Sequence, residues 1–546
     1  MRPTAVPIAL TVVVLLGACT PVAEKTAEAG EPAVVGTSVP DAALTLVADE
    51  DPVASAAATS RALFDSAEVV VVARDGDAAG TLLGASAAVG LGVPLLLEPA
   101  GGGTAEPLGA ELDRLGTTTV LAVGAAEGSA AEEVLAVPAV PEAVAAATGL
   151  ELSDVRRVDL DGASAAVAAL GPEWPVALQP PGTDGDPAGD VGALPVVDRA
   201  DPLTGTLVLA TGDPTAVAGL ATARAAGARV HLTGGATDPR SSAETVRLLA
   251  GQHVDAVVAL GPGFAAEDGL DWKLETAATG VELPAGGQLL FPASFLVALY
   301  GHPGTGALGV LGEQGLPAAI ERARAHAAPY EPLVPGATVV PTFEIIATIA
   351  SAGPGDDGNY SAEADPEALR PWVEAAGEAG MYVVLDLQPG RTDFLTQAQR
   401  YESLLALPHV GLALDPEWRL APEQVHLTQI GSVGIDEVNR VVAWLADLTR
   451  SRALPQKLLV LHQFQVRMIP ERERLDTSRD ELAIMVHADG QGAQGDKQAT
   501  WQALRQTDPD AVHWGWKNFY DEDAPMLTPE QTVAQVVPRP DLISYQ

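Results

Sequence analysis

The chain carries a single cysteine, Cys19, among 546 residues. No disulfide can form within it, and zinc sites built on several thiolates are excluded. Basic residues are scarce: 31 Lys and Arg stand against 72 Asp and Glu, a net charge of −41. Such a surface repels phosphate backbones and anionic bilayers, which excludes nucleic acid as a partner. Beyond residue 18 no apolar run approaches the roughly 20 residues of a membrane-spanning helix. Recognised motifs are missing too. No Gly-x-Gly-x-x-Gly follows the first strand-like run and no Gly-Lys-Ser/Thr is present, so turns such as Ala210-Thr-Gly-Asp-Pro214 argue little for a nucleotide. The absence of Gly-x-Ser-x-Gly argues against a serine hydrolase.

What is present begins with Arg2 and the apolar run Ile8–Ala18, too short to cross a bilayer and suited to a signal peptide. Leu16-Gly17-Ala18-Cys19 resembles the lipobox of bacterial lipoproteins. That resemblance implies cleavage after residue 18, lipidation of Cys19, and an extracytoplasmic chain held to the membrane by its lipid. Residues 20–44, rich in Ala, Glu, Pro and Thr, read as a flexible tether.

From residue 45 to 285, short apolar runs alternate with Ala-rich helical stretches, the pattern of parallel βαβ units. The runs repeat. Glu68–Ala73 aligns with Gly205–Ala210, Gly90–Leu95 with Gly227–Leu232, and Val120–Gly124 with Val257–Gly261, all at one offset of 137 residues. A shared gapless offset points to a duplicated α/β unit. The expected division is repeat 1 over 45–150, then a degenerate unit plus repeat 2 over 151–285. Asp51-Pro-Val-Ala-Ser-Ala56, Ser60-Arg-Ala-Leu-Phe64, Val69–Asp77 and Ala85–Leu97 together resemble a cell wall-binding repeat of the type 2 family, with Pro52 and Val53 in the places of its usual Arg and Tyr. The resemblance covers about residues 45–265 and implies anchoring to cell-wall polymer.

Aromatics, only 4% of the chain, are concentrated after residue 290: all seven Tyr and six of the eight Trp lie there. Eight strand-like runs follow, at Phe295–Gly301, Thr338–Ala347, Met381–Leu387, Val410–Leu414, Lys457–Gln463, Leu482–Val486, Ala511–Gly515 and Leu542–Tyr545. Helical patterns separate most of them, though Pro470–Arg479 after the fifth is not clearly helical. Eight such units over 290–546 predict a (β/α)8 TIM barrel, with a doubly wound open sheet as the alternative. The expected fold class is α/β: an N-terminal parallel βαβ repeat domain followed by that barrel.

Barrel function sits where strands end, and these ends are polar. The central stretch is Val410-Gly-Leu-Ala-Leu-Asp415-Pro-Glu417-Trp418, whose alternation puts Gly411, Ala413, Asp415 and Glu417 on one face and Val410, Leu412 and Leu414 on the other. Acids and tryptophans at a barrel mouth suit carbohydrate, since sugars stack on indoles and glycoside hydrolysis uses two carboxyl groups in different protonation states. The catalytic candidates are Glu417 as acid, Asp415 as its neighbour, and Asp386 or Asp489 as the second carboxylate. The substrate-binding candidates are Tyr300, His302, Glu344, Gln388, Trp418, His462, Gln463, His487, Gln491, Trp514, Trp516, Lys517 and Tyr545. On the seventh strand Trp514 and Trp516 share one face and His513 and Lys517 the other, and either set could point inward. The Asp-x-Glu ending resembles those of chitinase-like and lysozyme-like barrel glycosidases. A second chemical reading has His462, His487 and His513 with Asp386 and Asp489 hold a divalent ion, but no His-x-His or His-Glu-x-x-His supports it, and no metal or other cofactor is expected. The functional expectation is a surface lipoprotein acting on cell-envelope or extracellular polysaccharide. The alternative is a non-catalytic surface protein whose barrel binds glycan.

Overall fold

The computed structural model describes residues 31–103, 106–128, 131–152, 154–183, 191–251, 253–506 and 511–546. Cys19 and the apolar run before it lie outside them. The N-terminal half contains two four-stranded parallel sheets. The first is ordered Leu95–Glu98, Val69–Arg74, Thr119–Val123, Glu133–Val137, and the second Arg229–Leu232, Thr206–Ala210, Ala256–Leu260, Leu44–Val47. The duplication is visible in the register. Val69 faces Thr119 and Val71 faces Leu121, while Thr206 faces Ala256 and Val208 faces Val258, which preserves the same sequence offset. Between the copies, Asp154–Arg157 and Val176–Gln179 pair in parallel around the short helix Ala163–Ala168, a reduced third unit. One apolar core runs through the first copy, the reduced unit and the helix Val217–Ala225.

The stretch expected as a tether is folded from Ala33 onward. Ala33–Thr37 pairs with Phe64–Ala67 and Val197–Asp198, and Leu44–Val47 supplies the edge strand of the second sheet. The Ala33-Val-Val alternation buries Ala33 and Val35, a strand signal that the Pro-rich surroundings masked.

The C-terminal half is a closed barrel of eight parallel strands: β1 (Ser294–Gly301), β2 (Thr338–Ala350), β3 (Tyr382–Leu387), β4 (Val410–Leu414), β5 (Lys457–Gln463), β6 (Leu482–Ala488), β7 (His513–Asn518) and β8 (Leu542–Tyr545). β1 pairs with both β2 and β8, which closes the ring. The open-sheet alternative is thereby set aside. Helices cover the outside. Ile435–Ser451 is typical: Ile435, Val438, Val441, Val442, Leu445 and Leu448 form its buried stripe, with Asp436 and Glu437 in the first turn and Arg450 in the last, as the helix dipole favours. After β5 the described chain makes only two 3-10 turns, Val466–Met468 and Arg472–Arg474.

Most of the strands are apolar on both faces low in the barrel, as parallel strands covered on both sides tend to be, with Lys457 at the start of β5 as a buried exception. Leu296, Val340, Tyr382, Val384, Ala413, Leu458, Val460, Ala483, Met485 and Leu542 fill the interior, while Val410, Leu412 and Leu414 pack outward on the helices. Gly411 is required inside, because a Cβ there would lie 2.6 Å from the Leu458 carbonyl and 3.1 Å from the Tyr382 hydroxyl. The N-terminal half docks on the opposite, N-terminal end of the barrel. Lys273 ion-pairs with Asp480 just before β6, and Trp272 lies between the guanidinium groups of Arg240 and Arg450, at 4.4 and 4.6 Å from the ring centre. The C-terminal mouth stays open.

Candidate active site

Continuing the inward parity of each strand upward, the side chains turn from apolar to polar. Tyr300 (β1), Glu344 (β2), Asp386 (β3), His462 (β5), His487 (β6), Lys517 (β7) and Ser544 (β8) are all buried on the inner face. Asp415, Gln388 and Asp489 follow at the ends of β4, β3 and β6.

His462 is the hub of this layer. Its Nε2 lies 2.8 Å from Glu344 Oε1 and 3.8 Å from Asp386 Oδ1, and its Nδ1 lies 3.2 Å from Asp489 Oδ2. Burial alone would lower its pKa, but Glu344 and Asp489 outweigh burial and hold it well above the usual histidine range. It is therefore an imidazolium that donates from both nitrogens. His487 Nδ1 lies 3.2 Å from His462 Nδ1. Burial and the neighbouring imidazolium push His487 well below its ordinary value, so it stays neutral. A neutral His487 that accepts at Nδ1 carries its proton on Nε2, and donates it to Ser544 Oγ at 3.1 Å. Gly515, next to His487 on β7, has to lack a side chain, since a Cβ there would collide with the His487 ring.

Asp386 accepts a hydrogen bond from the Tyr300 hydroxyl at 2.8 Å, and Gln388 Nε2 donates to the same oxygen at 3.3 Å. Burial raises Asp386 to about 6, with His462 opposing and Glu344 adding to the rise. Above this layer opens a cavity of about 790 Å³. Tyr300, Gln388, Asp415, Glu417, Trp418, Asp489, Gln491 and Lys517 line it.

Asp415 and Glu417 both reach the cavity, Asp415 by continuing the inner face of β4 and Glu417 by a different route. β4 ends at Leu414, and Pro416–Trp418 forms a 3-10 turn capped by Asp415 Oδ1, which accepts from the Glu417 amide at 3.2 Å. Pro416 stops the ladder and is well placed in the first helical turn. Burial first, and then repulsion from Asp386, Asp489 and Glu417, hold Asp415 well above the carboxylate range. Burial and Asp489 push Glu417 up to about 7. Asp489 moves the other way: burial would raise it, but the hydrogen bond and charge of His462 keep it below its ordinary value. Among the carboxyl groups lining the cavity, Asp415 and Glu417 are thus shifted toward the acid form and Asp489 toward the anion. Asp489 Oδ1 is buried with no hydrogen-bond partner among the described residues.

The other candidates divide in two. Glu344, Asp386, His462 and His487 lie beneath the cavity as its support. His302, Gln463, Trp514, Trp516 and Tyr545 do not line it. His302 turns its Nδ1 to the Ile346 carbonyl at 2.9 Å. Gln463, on the outer face of β5, bonds the backbone of Gln465 and Val466. Trp514 and Trp516 pack edge-on against Trp501 outside the barrel, with centroids at 5.3 and 5.8 Å, so the Lys517 face of β7 is the inner one. Tyr545 faces Tyr330, hydroxyl to hydroxyl at 2.6 Å. His513 pairs with Asp541 at 3.0 Å, away from His462 and His487. Among the described residues no three His, Cys, Asp or Glu side chains are disposed to hold a metal ion, and the three-histidine arrangement does not form. Sequence reasoning missed Ile349, Ile430 and Phe464, which form an apolar rim, and Ala307 and Leu308 of a glycine-rich turn after β1. The Gly304-x-Gly306-x-x-Gly309 spacing was the available signal for that turn.

Fold and site define an α/β chain whose closed barrel presents a carboxylate-rich mouth. No family model and no curated protein matches the sequence. Among solved structures the chain is similar to Cwp6 from Clostridium difficile, at 15% identity and a TM-score of 0.31, over 64% of this chain and 63% of that one. The chain thus spans less than two thirds of that protein's length.

Proposed function

We propose that the barrel is a glycosidase-like domain that hydrolyses cell-envelope or extracellular polysaccharide by carboxylate acid/base catalysis. The observation that carries this reading is the opposed tuning of two carboxyl groups in one open cavity: Glu417 raised to about 7 and Asp489 held below its ordinary value. Glycoside hydrolysis needs that pair, one group to protonate the leaving oxygen and one to act as base or nucleophile. Glu417 is the acid. Asp489 is the ionised partner, kept so by the His462 imidazolium. Asp415 supports the acid by repulsion, and Asp386, tied to Tyr300, supports the layer below. Trp418, half-buried at the rim, offers an indole face for a sugar ring. The likeness of residues 45–265 to wall-binding repeats and the lipobox-like Cys19 support an envelope location, with the chain lipid-anchored and facing out.

The test is release of reducing ends from a panel of envelope polysaccharides by the full chain, because Ala33–Thr37 and Leu44–Val47 belong to the fold and truncation would remove them. Glu417→Gln and Asp489→Asn are run alongside. Product from the parent that both variants lose supports hydrolysis. Saccharide binding without product supports a glycan-binding barrel, and neither binding nor product refutes both readings.

A further inference from the structure

Acids and a cation share the cavity. Asp415 and Glu417 enter from the end of β4 and Asp489 from the end of β6, while Lys517 enters from β7 beside β6, and its charge lowers Glu417, Asp386 and Asp489. Lys517 is only 3% exposed, yet its side chain lines the cavity. Its ammonium sits 3.5 Å from the centre of the Tyr300 ring and 5.2 Å from that of Phe519. Among the described residues it makes no hydrogen bond and no ion pair. The neighbouring Lys497 shows the contrast: its ammonium donates to the Lys517 carbonyl at 2.7 Å and to Asp523 Oδ2 at 2.6 Å. An ammonium carries three donors and is expensive to bury without acceptors. Aromatic faces hold such a cation in place without using its N–H groups. Lys517 is thus fixed, nearly desolvated, and aimed into a saccharide-sized space with its hydrogen-bonding capacity intact.

We propose that Lys517 is a subsite cation that grips an anionic substituent, a carboxylate or a phosphate ester, on the sugar unit next to the one held over Glu417 and Trp418. This rests on the carbohydrate reading and narrows it to acidic polysaccharide. Gln388, which bonds Tyr300 and lines the same wall, offers that sugar unit a neutral polar neighbour. Of the two lysines that line the cavity, Lys497 is held by Asp523 and the Lys517 carbonyl, which leaves Lys517 as the one whose N–H groups are open to an anionic sugar unit.

The experiment is calorimetric titration of the full chain with three probes: an oligouronide, the same oligosaccharide with its carboxylates reduced to alcohols, and a phosphorylated neutral oligosaccharide. The parent should bind one of the anionic probes roughly ten- to hundredfold more tightly than the reduced one, the scale of a charge-assisted hydrogen bond. Lys517→Met should erase that preference and leave affinity for the reduced probe in place, and Lys517→Arg should restore part of it. The two anionic probes decide between carboxylate and phosphate. If Lys517→Met fails to fold, Lys517→Gln is put through the same three titrations and should lose the parent's preference for the anionic probe it binds, and a Lys517→Gln chain that keeps that preference overturns the assignment. Equal binding of charged and reduced probes overturns the Lys517 assignment and leaves the carbohydrate reading standing. No binding of any of the three overturns both.

Discussion

His462→Gln is the most informative single change. In the parent one imidazolium lies 2.8 Å from Glu344, 3.2 Å from Asp489 and 3.8 Å from Asp386, all buried. Glutamine keeps the approximate volume and one donor but removes the charge, so three buried carboxylates lose their cation. Removing one partner from a buried ion cluster costs about 3–5 kcal/mol. For a barrel of this size, each kcal/mol lowers the midpoint by roughly 2–4 °C, so the drop at pH 7 should be about 6–20 °C. The pH dependence separates charge from packing. His462 is raised in the folded state, so its contribution is fully present below its unfolded value of about 6.5 and is lost only as pH rises through the elevated folded value. In the variant, the orphaned carboxylates bind protons more readily in the folded than in the unfolded state, so its stability rises as pH falls. Differential scanning calorimetry of parent and variant at pH 7 and pH 5 should therefore show a gap that narrows in acid. A gap of equal size at both values would refute the charge argument and leave only packing.

Other outcomes follow from the same geometry. Gly515→Ala should lower stability by about 1–3 kcal/mol, read as a shifted urea midpoint, because a Cβ there collides with the buried His487 ring. Lys457, at the base of β5, donates to the Leu407 and Val410 carbonyls at 2.8 and 2.9 Å, and burial lowers it to about 7. The folded state then holds fewer protons than the unfolded one between that value and roughly 10.4, so this group makes stability rise with pH across that window. Lys457→Met should flatten the rise in urea midpoints measured from pH 7 to 10. If Glu417 is the proton donor, hydrolysis should fall as pH climbs through about 7, and Glu417→Gln should reduce kcat/KM by roughly a hundred- to ten-thousandfold in a reducing-end assay.

Much of the fold was legible because side-chain alternation is local. The two faces of β4, the shared face of Ala483, Met485, His487 and Asp489, and the succession of eight strands with helices between most of them can all be read from neighbouring residues. The 137-residue duplication was legible for the same reason, and it survives as identical register in two sheets. What misled was composition: Pro and Ala around Ala33–Thr37 suggested a tether where the chain forms a strand. Pro416 likewise replaced an expected strand with a turn, and Glu417 reached the cavity by a different route.

The sequence by itself determined which residues are strand-end candidates, since hydrophobic period and turn chemistry depend on residues a few positions apart. Only the tertiary structure decided which of them meet. Barrel closure sets β1 beside β8 and brings Glu344, Asp386, His462 and Asp489, spread over some 145 residues of chain, around one imidazole. It also turned Lys517 inward and sent Trp514 and Trp516 to the helices, a choice that local pattern left even, and it set Tyr545 against Tyr330, away from the cavity where it was expected. Protonation was decided there as well, because burial and opposing charges at three to four ångströms act through space and leave no mark on the order of residues.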